Sequence, residues 1–511
     1  MLKQNVVANF LGSVWPSLLG LILVPVYLKY LGVEAYGLVG FFVSLQALIS
    51  FLDLGLSTTT NREVAFGLSA PGQKVKTRDF IRTLEIVYGL IALLIALGFF
   101  LAADWLAREW INAQELSIET VRLAVVVFGV TLALRWPVAL YTGVLYGSEK
   151  QVLYNTLYVM VSTVRSVGAA LVVAFVSHTI LGYLIWQLIS ALTELGVMAF
   201  AAWKILHVEP RHFPHPRFFH LQQVWKFSAA VGANSLLAAW IKQMDRILIS
   251  KLLLLQQVGY YTTANTAYSA ISLFVSPLAS AAFPRFTALI AEKNEVELAA
   301  AYHKTSQYVS FIAAPVSASM MFFSHDILLL WTRSEDVAVN AAPTLSILAL
   351  AALFNSMMQM PFVLQLSAGI TWISLWNNAI NLVVLAPLMY YLISHYGVAG
   401  AGIAWLVFNV LYYLIVPHVL HHYVLPSEKL NWIFRDTLPF MVASLFIYGA
   451  AYWFRVSMEG AFFFVPAIIL GSVLYAVFCV ISYPMLRAFM KELLLNTLFI
   501  LKVRRIRTEK T

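Results

Sequence analysis

The residues of this sequence that could do chemistry are a few charged side chains inside long apolar segments. Arg135 and Arg165 each lie near the middle of an apolar segment, and Lys242, Asp245 and Arg246 lie together in another. A charged group at the centre of a bilayer costs about 2.5–3.5 kcal/mol on insertion scales, so such residues face protein or a watery cavity. These five residues are the first candidates for a binding site.

Arg135 and Arg165 fall in adjacent segments at similar depth. We find no acidic residue at comparable depth in the first half of the chain, because Glu194 lies nearer the end of its segment. A guanidinium group binds phosphate through two parallel hydrogen bonds. The pair therefore predicts a site for an anionic phosphate group; the alternative is that each arginine contacts backbone carbonyl groups.

Lys242, Asp245 and Arg246 are spaced i, i+3 and i+4, so they share one face of a helix. One interpretation is a self-neutralising cluster. The other is that Lys242 and Arg246 also bind the anionic group, while Asp245 orients it or binds a coupling cation.

Two further acidic residues are candidates for coupling transport to a proton or cation. Glu194 lies towards the cytoplasmic end of its segment, where pairing with a nearby basic residue is the alternative. Asp53 precedes Arg62, so a helix cap or an ion pair is its alternative role.

Asparagine side chains recur in the second half of the chain. They predict either hydrogen bonds between helices or contacts with sugar hydroxyl groups. The candidates for sugar contact are Asn234, Asn265, Asn355 and Asn377.

The elements that position these residues must be membrane helices. The chain has 511 residues, of which 61% are hydrophobic and 11% charged, whereas soluble domains have about 45–50% and 25%. This composition excludes a soluble enzyme, a disordered chain and a nucleic-acid-binding domain. No nucleotide-binding loop is present, because the segment from Gly67 to Lys74 lacks the Gly-Lys-Ser/Thr ending. A single cysteine and irregularly spaced histidines in 204–226 predict neither a metal site nor a cofactor.

A transmembrane helix needs roughly 20 apolar residues. This rule predicts an all-α polytopic membrane protein with about 14 spans. They are 6–29, 36–57, 82–104, 121–146, 152–176, 179–203, 227–250, 259–283, 304–325, 340–364, 372–392, 397–418, 437–455 and 461–483.

The distribution of basic residues predicts the orientation. With a cytoplasmic N-terminus, 23 of the 33 Lys and Arg residues lie in cytoplasmic segments and six in outside segments. Because cytoplasmic loops carry the excess of Lys and Arg, both termini are expected in the cytoplasm. No long outside loop is present to carry catalytic carboxylates, which argues against a membrane glycosyltransferase or polymerase.

A shift of 222 residues aligns the first half of the chain with the second. It pairs Lys29 with Lys251 and Gly37 with Gly259, among others, at equivalent places along the spans. Parallel repeats of this kind predict two pseudo-symmetric lobes around a central cavity. The predicted organisation is an N-terminal six-helix lobe 1–203, a basic loop 204–226, a C-terminal six-helix lobe 227–418, helices 13 and 14 in 419–483, and a basic tail 484–511.

Short motifs carry a resemblance to a known family. Pro25, Gly32, Tyr36-Gly37, then Asp53-Leu54-Gly55 before Arg62, resemble the start of polysaccharide flippases. The second half repeats this likeness with Asp245-Arg246 and Val258-Gly259-Tyr260-Tyr261. These flippases form the O-antigen and exopolysaccharide branch of the multidrug/oligosaccharidyl-lipid/polysaccharide exporter superfamily.

The resemblance implies a flippase that moves a polyprenyl-pyrophosphate-linked oligosaccharide to the outer leaflet of the bacterial inner membrane by alternating access. It implies basic cavity residues for the pyrophosphate, a part that Arg135, Arg165, Lys242 and Arg246 could play. Membrane lipids, a polysaccharide polymerase and chain-length machinery are the expected partners, with no nucleic acid or nucleotide. A lipid II flippase and a multidrug/cation antiporter of the same superfamily remain alternatives.

Overall fold

The computed structural model describes residues 2–50, 53, 55–69, 73–206, 240–457, 464–484 and 486–488, with side-chain surroundings from residue 8 onwards. Within these ranges every regular element is a helix. The prediction of an all-α membrane protein is therefore confirmed. Twelve of the described helices are long and apolar enough to cross a membrane, or up to thirteen if one bent helix pair forms a single span. The predicted span 227–250 lies largely outside the described residues.

The first helices carry most of the charged residues singled out above. They are α1 Leu2–Leu31, α2 Val33–Ser50, α3 Leu56–Ser69, α4 Lys74–Trp105 with a π-helical extension to Trp110, α5 Ile118–Arg135, α6 Val138–Gly147, α7 Gln151–Phe175, α8 Ile180–Leu206 and α9, residues 240–252.

The remaining helices follow with short connections. They are α10 Leu255–Ala291, α11 Glu295–Phe322, α12 Ser324–Thr332, α13 Glu335–Met357, α14 Gln359–Ser367, α15 Trp372–Ile380 with a π-helical turn to Leu385, α16 Ala386–Tyr396, α17 Val398–Tyr423, α18 Lys429–Asn431 with a π-helical turn to Thr437, α19 Leu438–Ser457 and α20 Phe464–Ser482.

Local sequence signals set several helix boundaries. The side chain of Ser117 accepts a hydrogen bond from the N–H of Thr120 at the start of α5, and Asn294 does the same for Glu297 at the start of α11. Pro137 lacks the N–H group that would continue the hydrogen-bond ladder of the helix, so α5 ends at Arg135. That break places a guanidinium group at the end of a helix inside the apolar part of the chain.

Many large apolar side chains point away from the protein. Leu94 and Leu101 of α4 are 66% and 70% exposed, and Phe446 of α19 is 75% exposed. Soluble proteins rarely expose contiguous apolar surfaces of this kind. The exposed faces are therefore the surfaces that contact lipid, and the chain is a multi-pass membrane protein.

The chain divides into two compact units. The first comprises Met1–Ala267, Trp331–Val337 and Leu375–Ala401, and the second comprises Tyr268–Leu330, Ala338–Ser374 and Gly402–Thr511. The division does not fall at the predicted loop 204–226, because residues 240–267 are grouped with the first unit. The lobe boundaries drawn from the sequence remain predictions.

Helices α2 and α10 approach each other closely within the first unit. A Cβ atom added to Gly37 would collide with the backbone oxygen of Leu255, and one added to Gly259 would collide with the backbone oxygen of Val33. The two contacts are reciprocal, since 33 and 37 correspond to 255 and 259 at the offset of 222 residues. Small residues permit this backbone approach between membrane helices, where dispersion forces rather than the hydrophobic effect drive packing.

This contact makes a prediction about Gly37. Gly37→Ala should lower the thermal unfolding midpoint of the purified protein, because overpacking a well-packed site costs about 1–3 kcal/mol. Gly98→Ala is the matched control, since a Cβ at Gly98 of α4 meets no atom within 4 Å. The control should be neutral or stabilising by up to about 1 kcal/mol, because alanine restricts the unfolded chain more than glycine does. Equal effects of the two substitutions would contradict the close packing.

Candidate functional site

The first unit contains a cavity of about 450 Å³. It lies among α1, α2, α5, α7 and α8, and its volume is in the range of small-ligand sites. Most of its wall is apolar, with a few polar groups among the leucine, valine and phenylalanine side chains. The polar lining residues are Tyr27, Gln46, Ser50, Thr131, Arg135, Arg165, Ser166, Tyr183 and Gln187.

Arg135 enters the cavity from the last position of α5. Its Nη2 donates to Oε1 of Gln187 at 2.7 Å, and its Nη1 lies 3.5 Å from Oε1 of Gln46. The Nε atom is buried and has no hydrogen-bond partner among the described residues. The hydrogen bonds of this side chain thus go to neutral amides rather than to a carboxylate.

Arg165 enters the same cavity from the middle of α7. Its Nη1 lies 3.4 Å from Oε2 of Glu194 on α8. The indole of Trp186 donates to the backbone oxygen of Arg165 at 3.1 Å, and the hydroxyl of Tyr27 donates to the next carbonyl, that of Ser166. These aromatic side chains fix the backbone that carries the guanidinium group.

Glu194 joins the two arginines. Its Oε2 atom also lies 3.8 Å from Nε of Arg135, and its side chain is only 7% exposed. The sequence-based statement that no acid lies at comparable depth was therefore wrong. That prediction rested on the number of residues between Glu194 and the end of its segment. The position of Glu194 relative to the arginines depends instead on how far α5, α7 and α8 are shifted along their axes relative to one another.

The charges of this cluster do not cancel. Two guanidinium groups face one carboxylate, so the three side chains carry a net charge of +1. The distances of 3.4 and 3.8 Å exceed the 2.7–2.9 Å typical of a strong charge-assisted hydrogen bond. Neither arginine forms a two-bond pair with Glu194, so guanidinium N–H groups remain for an anion.

The structure assigns Lys242, Asp245 and Arg246 to other surroundings. None of them is among the residues that line this cavity. The Asp245 carboxylate is buried and accepts from the Tyr261 hydroxyl at 2.5 Å, while Arg246 donates to Asn265 at 2.5 Å. Lys242 is exposed. Asn265 is thus a partner of Arg246, and these residues remain candidates for substrate contact only as predictions.

The other predicted residues also have distinct places. The Asp53 carboxylate accepts from the backbone and hydroxyl of Ser57 at the start of α3, and from the hydroxyl of Tyr88. This is the cap that the sequence offered as one of its roles. Asn355 of α13 donates to Asn409 of α17 at 2.8 Å, which joins two helices.

The remaining residues singled out in the sequence are two predicted sugar contacts and the histidines of the loop 204–226. Asn377 lies half-buried on α15. Asn234 and the histidines between 207 and 220 lie outside the described residues. In the part of the chain that the structure describes, no group of three or more His, Cys, Asp or Glu side chains is arranged to hold a metal ion.

Sequence reasoning missed the neutral partners of the site. Gln187 precedes Glu194 by seven residues, so both lie on one face of α8 two turns apart. That spacing was visible in the sequence and could have linked the amide with the carboxylate. Gln46 and Tyr183 carry no such signal, because their place in the cavity depends on how α2 and α8 pack against α5.

Comparison with known proteins now places the chain in a family. Residues 2–290 match the family described as "Polysaccharide biosynthesis protein", and residues 230–392 match the family described as "MatE". The first match covers more than half of the chain. The chain belongs to the polysaccharide biosynthesis protein family. Its members are transporters of the multidrug/oligosaccharidyl-lipid/polysaccharide exporter superfamily, so the protein is a transporter and not an enzyme.

One curated relative and two solved structures illustrate the likeness. A Shigella flexneri protein named "Putative O-antigen transporter" is 20% identical over 402 residues, which cover 79% of this chain and 93% of that protein. The lipid II flippase MurJ in an inward closed conformation has a TM-score of 0.74 at 14% identity, covering 94% of this chain and 98% of its own. An inward-facing multidrug resistance MATE family transporter has a TM-score of 0.65 at 18% identity, covering 80% and 95%. These two structures show the fold of this chain.

The shared carboxylate of this transporter makes a prediction about stability. In a double-mutant cycle of Arg165→Gln and Glu194→Gln, the two changes should couple by about 0.5–3 kcal/mol, because they share one buried cluster. The exposed pair Arg285–Glu297, whose side chains are 56% and 57% exposed, is the matched control. Its cycle should give about 0.2–1 kcal/mol. Thermal unfolding in detergent measures both, and additive effects at Arg165 and Glu194 would contradict the cluster.

Proposed function

We propose that this transporter is a flippase for polyprenyl-(pyro)phosphate-linked oligosaccharides. It moves them by alternating access from the cytoplasmic to the outer leaflet of the bacterial inner membrane, with both of its termini in the cytoplasm. The product serves cell-surface polysaccharide synthesis, as O-antigen, capsule or exopolysaccharide. The observation that carries this proposal is the cavity lined by both Arg135 and Arg165, whose two guanidinium groups share the one carboxylate of Glu194 and outnumber it.

The phosphate groups of the substrate fit the cationic side of the cavity. Arg135 and Arg165 each lie against Glu194 at only one nitrogen, at 3.8 and 3.4 Å. A pyrophosphate offers oxygens to both guanidinium groups at once, and each arginine favours two-bond geometry. The low dielectric of the surroundings strengthens the attraction relative to water.

The rest of the lining suits the sugar next to the pyrophosphate. The amides of Gln46 and Gln187 and the hydroxyl of Tyr183 supply donors and acceptors beside the arginines. Apolar side chains complete the wall and exclude water from these hydrogen bonds. The volume of about 450 Å³ accommodates the pyrophosphate and the adjoining part of the oligosaccharide.

Glu194 supplies a means of coupling transport to protons. Its Oε2 atom contacts both arginines, so its carboxylate competes with the substrate phosphates for the same cations. A proton on Glu194 would remove the repulsion between that carboxylate and the phosphates. Substrate binding would then be linked to proton uptake, and release to proton loss.

The charge of the cavity disfavours an antiporter of cationic drugs. A site with two guanidinium groups and one carboxylate repels organic cations. A lipid II flippase would face the same electrostatics, since lipid II also carries a polyprenyl pyrophosphate. Lipid II is therefore a second substrate in the experiment below.

The first test is transport in reconstituted vesicles. Wild type should translocate a fluorescent polyprenyl-pyrophosphate oligosaccharide, and Arg135→Gln and Arg165→Gln should each reduce the rate at least ten-fold, because each removes a charged hydrogen bond worth about 1.5–3 kcal/mol. Arg285→Gln is the control, since that exposed arginine pairs with Glu297 outside the cavity. It should retain wild-type transport.

Two results would contradict the proposal. One is undiminished transport by folded Arg135→Gln and Arg165→Gln variants. The other is a wild-type protein that does not transport the lipid-linked oligosaccharide but transports organic cations, driven by an opposing ion gradient. Faster transport of lipid II than of the oligosaccharide would show that lipid II is the preferred substrate.

A second test concerns Glu194. Glu194→Gln raises the net charge of the cluster from +1 to +2, so it should bind the pyrophosphate lipid more tightly than wild type. Its transport should lose the dependence on pH that wild type shows, because the group that carries the proton is gone. Binding by tryptophan fluorescence and transport at several pH values measure the two effects. An unchanged pH profile in the variant would exclude Glu194 as the coupling residue.

A further inference from the structure

A second cavity lies in the second unit, apart from the arginine site. Its volume is about 810 Å³, and α11, the segment from Glu428 to Pro439, and the end of α20 surround it. One part of its wall is polar and the other apolar. Lys304, Glu428, Asn431 and Arg435 are among its polar lining residues, and Phe434 and Phe478 are among the apolar ones.

The acidic groups at this cavity are already bound by partners within the protein. His303 lies between them, with Nδ1 against Asp436 and Nε2 at 3.0 Å from Oε2 of Glu428. Gln307 donates to the other oxygen of Asp436, and Asn431 donates to Glu428, both at 2.7 Å. The hydrogen bond from Asn431, together with those from His303, lowers the pKa of Glu428. Both carboxylates are thereby committed to internal partners.

The basic groups of the cavity are differently placed. Lys304 on α11 and Arg435 on the segment before α19 are exposed. Within the described ranges, neither has a carboxylate oxygen within 4.0 Å, and the Lys304 ammonium lies 5.9 Å from the centre of the Tyr308 ring. The exposed part of the wall thus carries two cations, while the carboxylates of Glu428 and Asp436 are held by His303 and by amide donors.

The apolar part of the wall lies at the ends of membrane helices. Phe434 is 63% exposed, and Phe478 lies in the last turns of α20. Lys304 lies ten residues into α11, and α19 begins at Leu438, three residues after Arg435. The distribution of Lys and Arg predicts that this end faces the cytoplasm. Basic and apolar groups thus meet where the bilayer surface is expected.

We propose that this cavity binds the headgroup of an anionic phospholipid of the cytoplasmic leaflet. Lys304 and Arg435 contact the lipid phosphate, and the exposed Asn431 contacts its polar substituents. The acyl chains leave along Phe434 and Phe478 into the bilayer. Basic pockets between transmembrane helices on the cytoplasmic side are known binding places for anionic headgroups.

The division of the wall favours a lipid over a soluble anion. A free phosphate needs only the two cations, whereas the exposed Phe434 and the half-buried Phe478 beside them gain only if an apolar chain covers them. The paired charges of Asp436 and Glu428 hold α11 against the segment 428–436, which keeps Lys304 and Arg435 at one opening. The site is separate from Arg135 and Arg165, so it requires no particular transport substrate.

Native mass spectrometry of the purified full-length protein tests this site. The probes are palmitoyl-oleoyl phosphatidylglycerol, the phosphatidylcholine with the same chains, and soluble glycerol phosphate. Wild type should retain phosphatidylglycerol in preference to phosphatidylcholine. Each basic residue near a membrane surface contributes roughly five-fold in affinity, so Lys304→Gln with Arg435→Gln should weaken phosphatidylglycerol binding about thirty-fold.

Three controls separate charge from folding and from transport. Lys304→Arg with Arg435→Lys keeps both charges and should retain the lipid. Arg285→Gln removes an exposed cation of the same unit that lies outside the cavity and should leave binding unchanged. Arg165→Gln should also retain phosphatidylglycerol, even though it is expected to lose transport.

Several outcomes would overturn the assignment. Equal retention of phosphatidylcholine, or full retention of phosphatidylglycerol by the folded glutamine double variant, would show that the basic pair does not select a headgroup. Displacement of the lipid by glycerol phosphate at equal concentration would show a site for soluble phosphate. If the double variant does not fold, wild-type binding must still weaken as salt is added, and salt-independent binding would contradict the proposal.

Discussion

The cost of placing two arginines in the apolar part of a membrane protein shapes the first unit. Arg135 and Arg165 cannot pair with each other, and a single carboxylate, that of Glu194, lies against both. Neutral amides from Gln46 and Gln187 satisfy the rest of Arg135 without cancelling its charge. The result is a cavity that is held together by hydrogen bonds and still carries a positive charge.

Positioning these side chains requires helices that stay in register. Pro137 ends α5 at Arg135, while the backbone carbonyls around Arg165 accept from Trp186 and Tyr27 on neighbouring helices. On the same unit, Gly37 and Gly259 allow α2 and α10 to approach through reciprocal backbone contacts. Because these residues correspond at the offset of 222, the contact follows the internal repeat that the sequence suggests.

Composition and periodicity were enough to predict the class of this fold. Uninterrupted apolar segments such as that of α4 predict a span regardless of what packs against it, since every backbone group in lipid must be satisfied within the helix. The arginines were also recognisable as candidates, because a charge inside an apolar segment is unusual in any membrane protein. The predicted depth of Glu194 was wrong, because that depth depends on how three helices are shifted along their axes relative to one another.

Other contacts could not be predicted from the sequence. Arg246 stays a predicted ligand for phosphate; the sequence did not reveal that its guanidinium donates to Asn265, a contact between α9 and α10 that no local spacing predicts. The basic pair Lys304 and Arg435 was also missed. Those residues are 131 positions apart in the sequence, and only the packing of α11 against the segment 428–436 brings them to one opening. Long-range pairs of this kind are set by tertiary packing alone.

The most direct measurement of the central claim is a cryo-electron microscopy structure of the protein with a bound polyprenyl-pyrophosphate oligosaccharide. The account predicts density for the pyrophosphate between Arg135 and Arg165, with the Glu194 carboxylate displaced from at least one of them. Pyrophosphate density elsewhere in the protein, with both arginines still against Glu194, would contradict it.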